Sequence, residues 1–227
     1  MLKWEFEAKV YTVDNAPVQT VAPAESQVEK NRGSVNIDAL VFRPFDAVKY
    51  KLSKNVVINK DYTKIECFAF DKYTSLRSIK LPKTLVAIEE YAFSGCKHLR
   101  SIELPDSLRI IRQGAFSQCS ELESIKIPSG VLEIEENTFL CCESLAVADI
   151  PPTVTSIGVQ AFSGCEKLKM IYLPDSIKFI DENAFLYCPQ VIVKCYENSY
   201  AHKYCLSHNI NCKTVPMGMN LYNSVIF

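Results

Sequence analysis

The sequence predicts a right-handed α/β solenoid of about six 23-residue coils, with short strands and short helical turns, capped at both ends. Three observations lead there. Phe70, Phe93, Phe116, Phe139, Phe162 and Phe185 follow one another at 23-residue steps without an insertion or deletion. Two aliphatic columns keep the same step, one of Ile65, Ile88, Ile111, Ile134, Ile157 and Ile180, the other of Leu76, Leu99, Leu122, Leu145, Leu168 and Val191. Pro82, Pro105, Pro128, Pro151 and Pro174 recur in phase with Cys96, Cys119, Cys142, Cys165 and Cys188, and Tyr73 holds the cysteine place of the first unit.

Each part of a unit has a physical task. In residues 76–98, Leu76-x-x-Ile79-x-Leu81 suits a short parallel strand whose apolar members enter the core. Pro82 ends that strand, because it lacks an N–H and fixes φ. Leu85-x-x-Ile88 then reads as a second extended segment on another wall of the coil. Glu89 to Cys96 reads as a turn of helix, with Phe93 and Cys96 three apart on one face. One coil cannot bury these residues alone, whereas stacking at the strand spacing of about 4.8 Å turns every column into a continuous ladder.

The Ala-Phe-x-x-Cys element in phase with Leu-x-x-Ile-x-Leu-Pro resembles the BspA-type leucine-rich repeats of bacterial and protist proteins, many of them surface-associated. The resemblance covers residues 56–196, about 60% of the chain by count. Proline follows the strand where an ordinary leucine-rich repeat places Asn or Cys. The pattern drifts at both ends: Asn59 replaces the proline of the first unit, and the last unit loses the pattern after Val193. The resemblance implies an interaction module that recognises a protein or a surface glycan.

Residues 1–55 read as an N-terminal cap or small extra module. Trp4, Phe6, Ala8 and Val10 alternate with charged residues as in a half-buried strand, residues 15–34 read as a linker, and residues 35–55 carry apolar clusters without a clear repeat. Residues 197–227 read as a capping helix and tail, with helical spacing from Ser199 to His208.

Composition excludes several classes of function. With 48% hydrophobic and 22% charged residues the chain folds around a core, and a net charge of −1 without a block of like charges attracts neither nucleic acid nor an anionic membrane. No apolar run approaches the roughly 18 residues of a membrane span. The start of the chain carries no visible export signal, which leaves a cytoplasmic protein if Met1 is the native start and a cell-surface or secreted one if the chain is trimmed. Glycine-rich phosphate loops, Gly-x-Ser-x-Gly and His-Glu-x-x-His are missing among only seven glycines, so a non-catalytic protein without cofactor is expected. His98 reads as a surface histidine with no fixed carboxylate or serine beside it.

The outward strand positions carry the functional expectation. Lys80, Glu103, Lys126 and Asp149 alternate in sign and read as a structural charge ladder that helps set register. Two further outward columns turn from polar to apolar along the chain, so Ala146, Val147, Met170 and Tyr172, with Ile192 and Val193, read as an exposed patch that binds a protein partner. The alternatives are the N-terminal module or a capping loop folded over this patch, or a structural subunit that oligomerises through its ends or strand face. Cys195, His202, Cys205, His208 and Cys212 contain metal-ligating residue types, but their spacing matches no usual zinc pair. They read first as capping residues, and a zinc site is the alternative. The cysteine column reads as free core thiols, and Cys141, next to Cys142, as displaced outward.

Overall fold

The computed structural model describes residues 40–221. The strand expected at residues 1–14 and the linker expected at 15–34 lie outside the described residues. All described strands pair in parallel, which requires each strand to be followed by a crossover, and here the crossover is the rest of one coil.

Eight strands build the first wall. β2 (Asn55–Val57), β4 (Ser78–Lys80) and β6 (Ser101–Glu103) form one sheet, while β8 (Ser124–Lys126), β10 (Val147–Asp149), β12 (Met170–Tyr172), β14 (Ile192–Tyr196) and β15 (Cys212–Val215) form the next. The Glu123 N–H donates to the Arg100 carbonyl at 3.0 Å across the seam between them. The second wall holds β1 (Val41–Phe42), β3 (Lys64–Ile65), β5 (Ala87–Ile88) and β7 (Ile110–Ile111), followed by β9 (Glu133–Ile134), β11 (Ser156–Ile157) and β13 (Phe179–Ile180). At its seam the Glu135 carboxylate accepts from the Arg112 guanidinium and the Gln113 N–H, each at 2.9 Å. The molecule is thus a parallel-strand solenoid of about eight turns at the expected 23-residue spacing.

The third wall differs from the expected helical turn. Glu89 to Cys96 and its equivalents are successive tight turns, and their backbone N–H groups alternate between two kinds of acceptor. Tyr91, Phe93 and Gly95 donate to Gln113, Ala115 and Ser117 of the next coil at 2.8–3.0 Å, whereas Ala92, Ser94 and Cys96 donate three residues back within their own coil. A helix would consume every N–H internally; this arrangement leaves every second one to join coils. It requires left-handed backbone at two places in each of five coils and at one place, Tyr187, in the next. One column is Phe68, Tyr91, Gly114, Asn137 and Gln160, the other Lys72, Gly95, Gln118, Cys141, Gly164 and Tyr187. At Gly114, φ is +62°, and a Cβ would lie 2.3 Å from the Tyr91 ring, so glycine is the residue that fits. Cys141 owes its displaced position to the second column.

The six phenylalanines form one stacked file inside the coil. Neighbouring ring centroids lie 5.1–5.6 Å apart and their planes diverge by no more than 16°. The five ladder cysteines are buried beside them, and each Sγ–H donates to the carbonyl of a phenylalanine of the preceding coil, from Cys96 to Phe70 at 3.1 Å through Cys188 to Phe162 at 3.0 Å. Cysteine suits this position as a small apolar residue with a weak donor. Burial pushes the Cys96 thiol up to about 12 and raises those of Cys119 and Cys142 as well.

Both ends of the stack depart from the pattern. Val41 and Phe42 pair with Lys64 and Ile65, so a coil precedes the first one visible as a repeat. Its third wall is a short helix, α1 (Pro44–Ala47), continued by a 3₁₀ turn over Val48–Tyr50. Ala47 takes the place of the phenylalanine, and the Phe42 ring stacks on Phe70 at 5.2 Å instead. At the other end Ser199 caps α2 (Tyr200–Ser207), its Oγ accepting the His202 N–H at 3.2 Å.

Candidate functional site

The outward face of the first wall presents three columns in register. Val147 pairs with Ser124 and Met170, and Met170 pairs with Ile192, so serine gives way to aliphatic side chains between β8 and β10. The inward column of Ile79, Ile102, Ile125, Ala148 and Ile171 stays buried throughout. Val147 is 53% exposed, and Ala146, Met170, Tyr172 and Ile192 are half-buried, so these five lie together on the outer face.

Val193 does not join them. It is fully buried, because the last coil is one residue shorter: Ile171 pairs with Val193, a step of 22 rather than 23. A slip of one residue turns each side chain of a strand to the opposite face. Ile192 therefore continues the Met170 column, and Lys194 continues that of Tyr172. Lys194 is only 2% exposed, with its Nζ 5.1 Å from the centroid of the Tyr172 ring. Burial, with a smaller contribution from neighbouring Lys213, holds its ammonium below the usual range.

Lys80 stands opposite Glu103 and Lys126 opposite Asp149 in the strand register. No ion pair within 4 Å joins this column among the described residues; the close pairs lie elsewhere. The Glu121 carboxylate meets His98 Nδ1 at 2.6 Å and Arg100 Nε at 3.0 Å, and these two partners, His98 first, hold it below the usual carboxylate range. His98 thus has a carboxylate beside it, contrary to expectation, in the equivalent region of the next coil. The residue is half-exposed and the pair forms part of a surface cluster.

The five C-terminal metal-ligating residues do not converge as one ligand set. His202 Nδ1 accepts the Asn198 N–H at 3.1 Å, while His208 stacks on Tyr204 with centroids 4.3 Å apart. Cys195, Cys205 and Cys212 lie on three neighbouring elements at this end of the stack, but their sulfurs are not all within 4.8 Å of one another. Among the described residues the set whose ligand atoms lie within 4.8 Å of one another is Cys67, Glu89 and Glu90, which the 23-residue phase brings together from neighbouring coils. Its members already bind one another and Lys64: the Cys67 thiol donates to Glu90 at 2.8 Å, and Lys64 meets Glu89 at 3.0 Å.

The stacked geometry agrees with a family assignment. The family described as the BspA type leucine rich repeat region matches in six copies, over residues 46–151 and 133–224. The chain belongs to the BspA-type leucine-rich-repeat family. A leucine-rich repeat protein from Bacteroides ovatus is similar, at 34% identity over 63% of this chain and 37% of that one, with a TM-score of 0.60. A leucine rich cell surface protein from Faecalibacterium prausnitzii gives 31% identity over 69% of this chain and 42% of that one, with a TM-score of 0.63. This BspA-type chain therefore spans less than half the length of either protein. No curated protein matches it. Leucine-rich-repeat proteins are in general interaction scaffolds and typically non-enzymatic. No helix among the described residues is long and apolar enough to cross a membrane.

Proposed function

We propose that this BspA-type chain binds a protein partner through the outer face of its first wall, with Ala146, Val147, Met170, Tyr172 and Ile192 as the contact row. The observation that carries this reading is the change of one outward column from Ser78, Ser101 and Ser124 to Val147, Met170 and Ile192, while the inward column of the same strands stays aliphatic. Folding alone gives no reason to place apolar side chains on that side of the strand. Aliphatic groups around one tyrosine suit the apolar centre of a protein interface, whereas a surface glycan calls for more aromatic platforms and hydrogen-bonding groups. The Faecalibacterium protein is a cell surface protein, and that likeness suggests a cell surface as the setting for binding.

Capture from the native source tests this reading, with the Met170→Lys, Tyr172→Ser double variant beside the wild type. A partner retained by the wild type and lost by the folded variant is expected; equal retention rejects the contact row.

A second reading, a structural subunit that assembles through its ends, is favoured by one observation. Phe45 and Leu52 are 86% and 87% exposed in the first described coil, and Val48 lies between them in sequence. The molar mass in solution separates the two readings: a monomer supports ligand binding, and a defined oligomer supports assembly.

A further inference from the structure

We propose that Cys205 and Cys212 form a reversible dithiol–disulfide pair that staples the capping helix to the last strand, and that Cys212 is the thiol at which a low-molecular-weight disulfide such as oxidised glutathione enters.

Three cysteines from three neighbouring elements lie at the C-terminal end of the stack. Cys195 lies on β14, Cys205 on α2 and Cys212 at the start of β15. In the β14–β15 register Cys212 stands beside Val193 and Thr214 beside Cys195, so the strand period of two puts Cys195 and Cys212 on the inward side, one step apart along the strands. The helix lays Cys205 over the same side, with Ala201 and Tyr204 as its other buried residues. The Ile210 N–H donates to the Cys205 carbonyl at 3.0 Å, which holds the chain entering β15, two residues before Cys212, against the end of the helix.

Access separates the three. Cys195 and Cys205 are fully buried, whereas Cys212 is half-buried on an edge strand. Cys165 and Cys188 are neighbours in the ladder, but both are buried and their thiols are already directed at the carbonyls of Phe139 and Phe162, at 3.3 and 3.0 Å. Cys141 is half-buried, but it lies two coils away on the third wall. The C-terminal trio alone places a reachable thiol against a buried thiol from another element.

The exchange balances without a further reactant. The Cys212 thiolate attacks one sulfur of the oxidised glutathione, forming a mixed disulfide and releasing one glutathione thiolate. The Cys205 sulfur, on the helix packed over this side of the sheet, gives up its proton, attacks the Cys212 sulfur and releases the second glutathione. Two protein S–H bonds are exchanged for one S–S bond, and the two electrons and two protons leave on two reduced glutathiones. The consequence is mechanical: Cys205 adjoins Tyr204, whose ring closes the phenylalanine file, so the disulfide fixes the helix that seals the stack.

The test equilibrates the purified chain in glutathione buffers from fully reduced to fully oxidised, followed by acid quenching, alkylation in denaturant and peptide mapping. At the oxidising end two of the ten thiols are expected to resist alkylation, to map to a Cys205–Cys212 bridge and to return on reduction, with a higher thermal midpoint for the bridged form. Cys212→Ser is expected to abolish the loss and Cys141→Ser to leave it. The mapping on the wild type decides the matter even where a variant folds poorly. Ten alkylated thiols at the oxidising end, a mixed disulfide that stays on Cys212, or a bridge mapped to any other pair overturns the proposal.

Discussion

The Tyr204 ring meets Phe185 at 6.4 Å with the planes inclined by 59°, and so ends a file in which every internal pair stacks almost parallel. Its hydroxyl donates to the Asp181 carbonyl at 3.1 Å. The last ring of a solenoid needs one face in the core and one end near water, and tyrosine provides both.

Removing only the hydroxyl, Tyr204→Phe, is expected to cost about 1 kcal/mol. Phe116→Ala, in the middle of the file where the ring is fully buried, is expected to cost about 3–5 kcal/mol by opening a cavity between two coils. Urea unfolding of both variants checks the order and the sizes.

The shortened last coil makes neighbouring residues opposite in consequence. Val193→Lys places a charge in the core and is expected to destabilise by about 3 kcal/mol or more, whereas Ile192→Lys, whose side chain reaches water, is expected to stay within about 1 kcal/mol of wild type. Thermal unfolding of the two variants reads the register directly; equal losses mean that the 22-residue step is misplaced.

Gln118 holds φ of +59° in a column where the equivalent residues of two other coils, Gly95 and Gly164, are glycine. Gln118→Gly is expected to raise stability by about 0.5–1 kcal/mol, the left-handed strain relieved less the entropy lost on ordering glycine. Gln118→Val, β-branched at the same position, is expected to lower it, and a denaturant midpoint for each checks the pair.

Cys96, Cys119 and Cys142, whose thiols burial raises, make the fold sensitive to alkali. Burial raises Cys96 from 9.0 to about 12, so the folded chain keeps a proton that the unfolded chain releases. That contribution is complete below pH 9 and is lost as the pH rises toward 12, at up to about 1.4 kcal/mol per pH unit for each such thiol. Denaturant midpoints between pH 7 and 11 are expected to fall above pH 9, less steeply in Cys96→Ala.

What could be read from residue types alone is the part dictated by burial. Phe93, Ile88, Leu99 and Cys96 recur because the stack admits one kind of side chain at each inward position, so walls, columns and spacing were legible. Backbone conformation left a weaker trace. Tyr91 and Gln118 hold left-handed φ values that only Gly95, Gly114 and Gly164 hint at, so stacked turns read as helix. The first coil was hidden because Phe42 fills the core from a different position of the unit, beside Ala47. Val193 read as an outward residue because the missing residue falls where no proline or glycine marks it. His98 and Glu121 are successive members of one column, so the 23-residue phase sets them side by side, but that column varies as Ser75, His98, Glu121, Ser144 and Lys167 and did not read as a ladder.

The binding face is tested most directly by hydroxyl-radical footprinting of the chain with and without the captured partner, since methionine and tyrosine are readily oxidised. Protection of Met170 and Tyr172 on partner binding is expected, with Met217, Met219 and Tyr187, which are 60%, 59% and 74% exposed, labelled as before. Unchanged labelling of Met170 and Tyr172, with protection at Tyr187 or the C-terminal methionines, would place the partner on another surface and contradict the account.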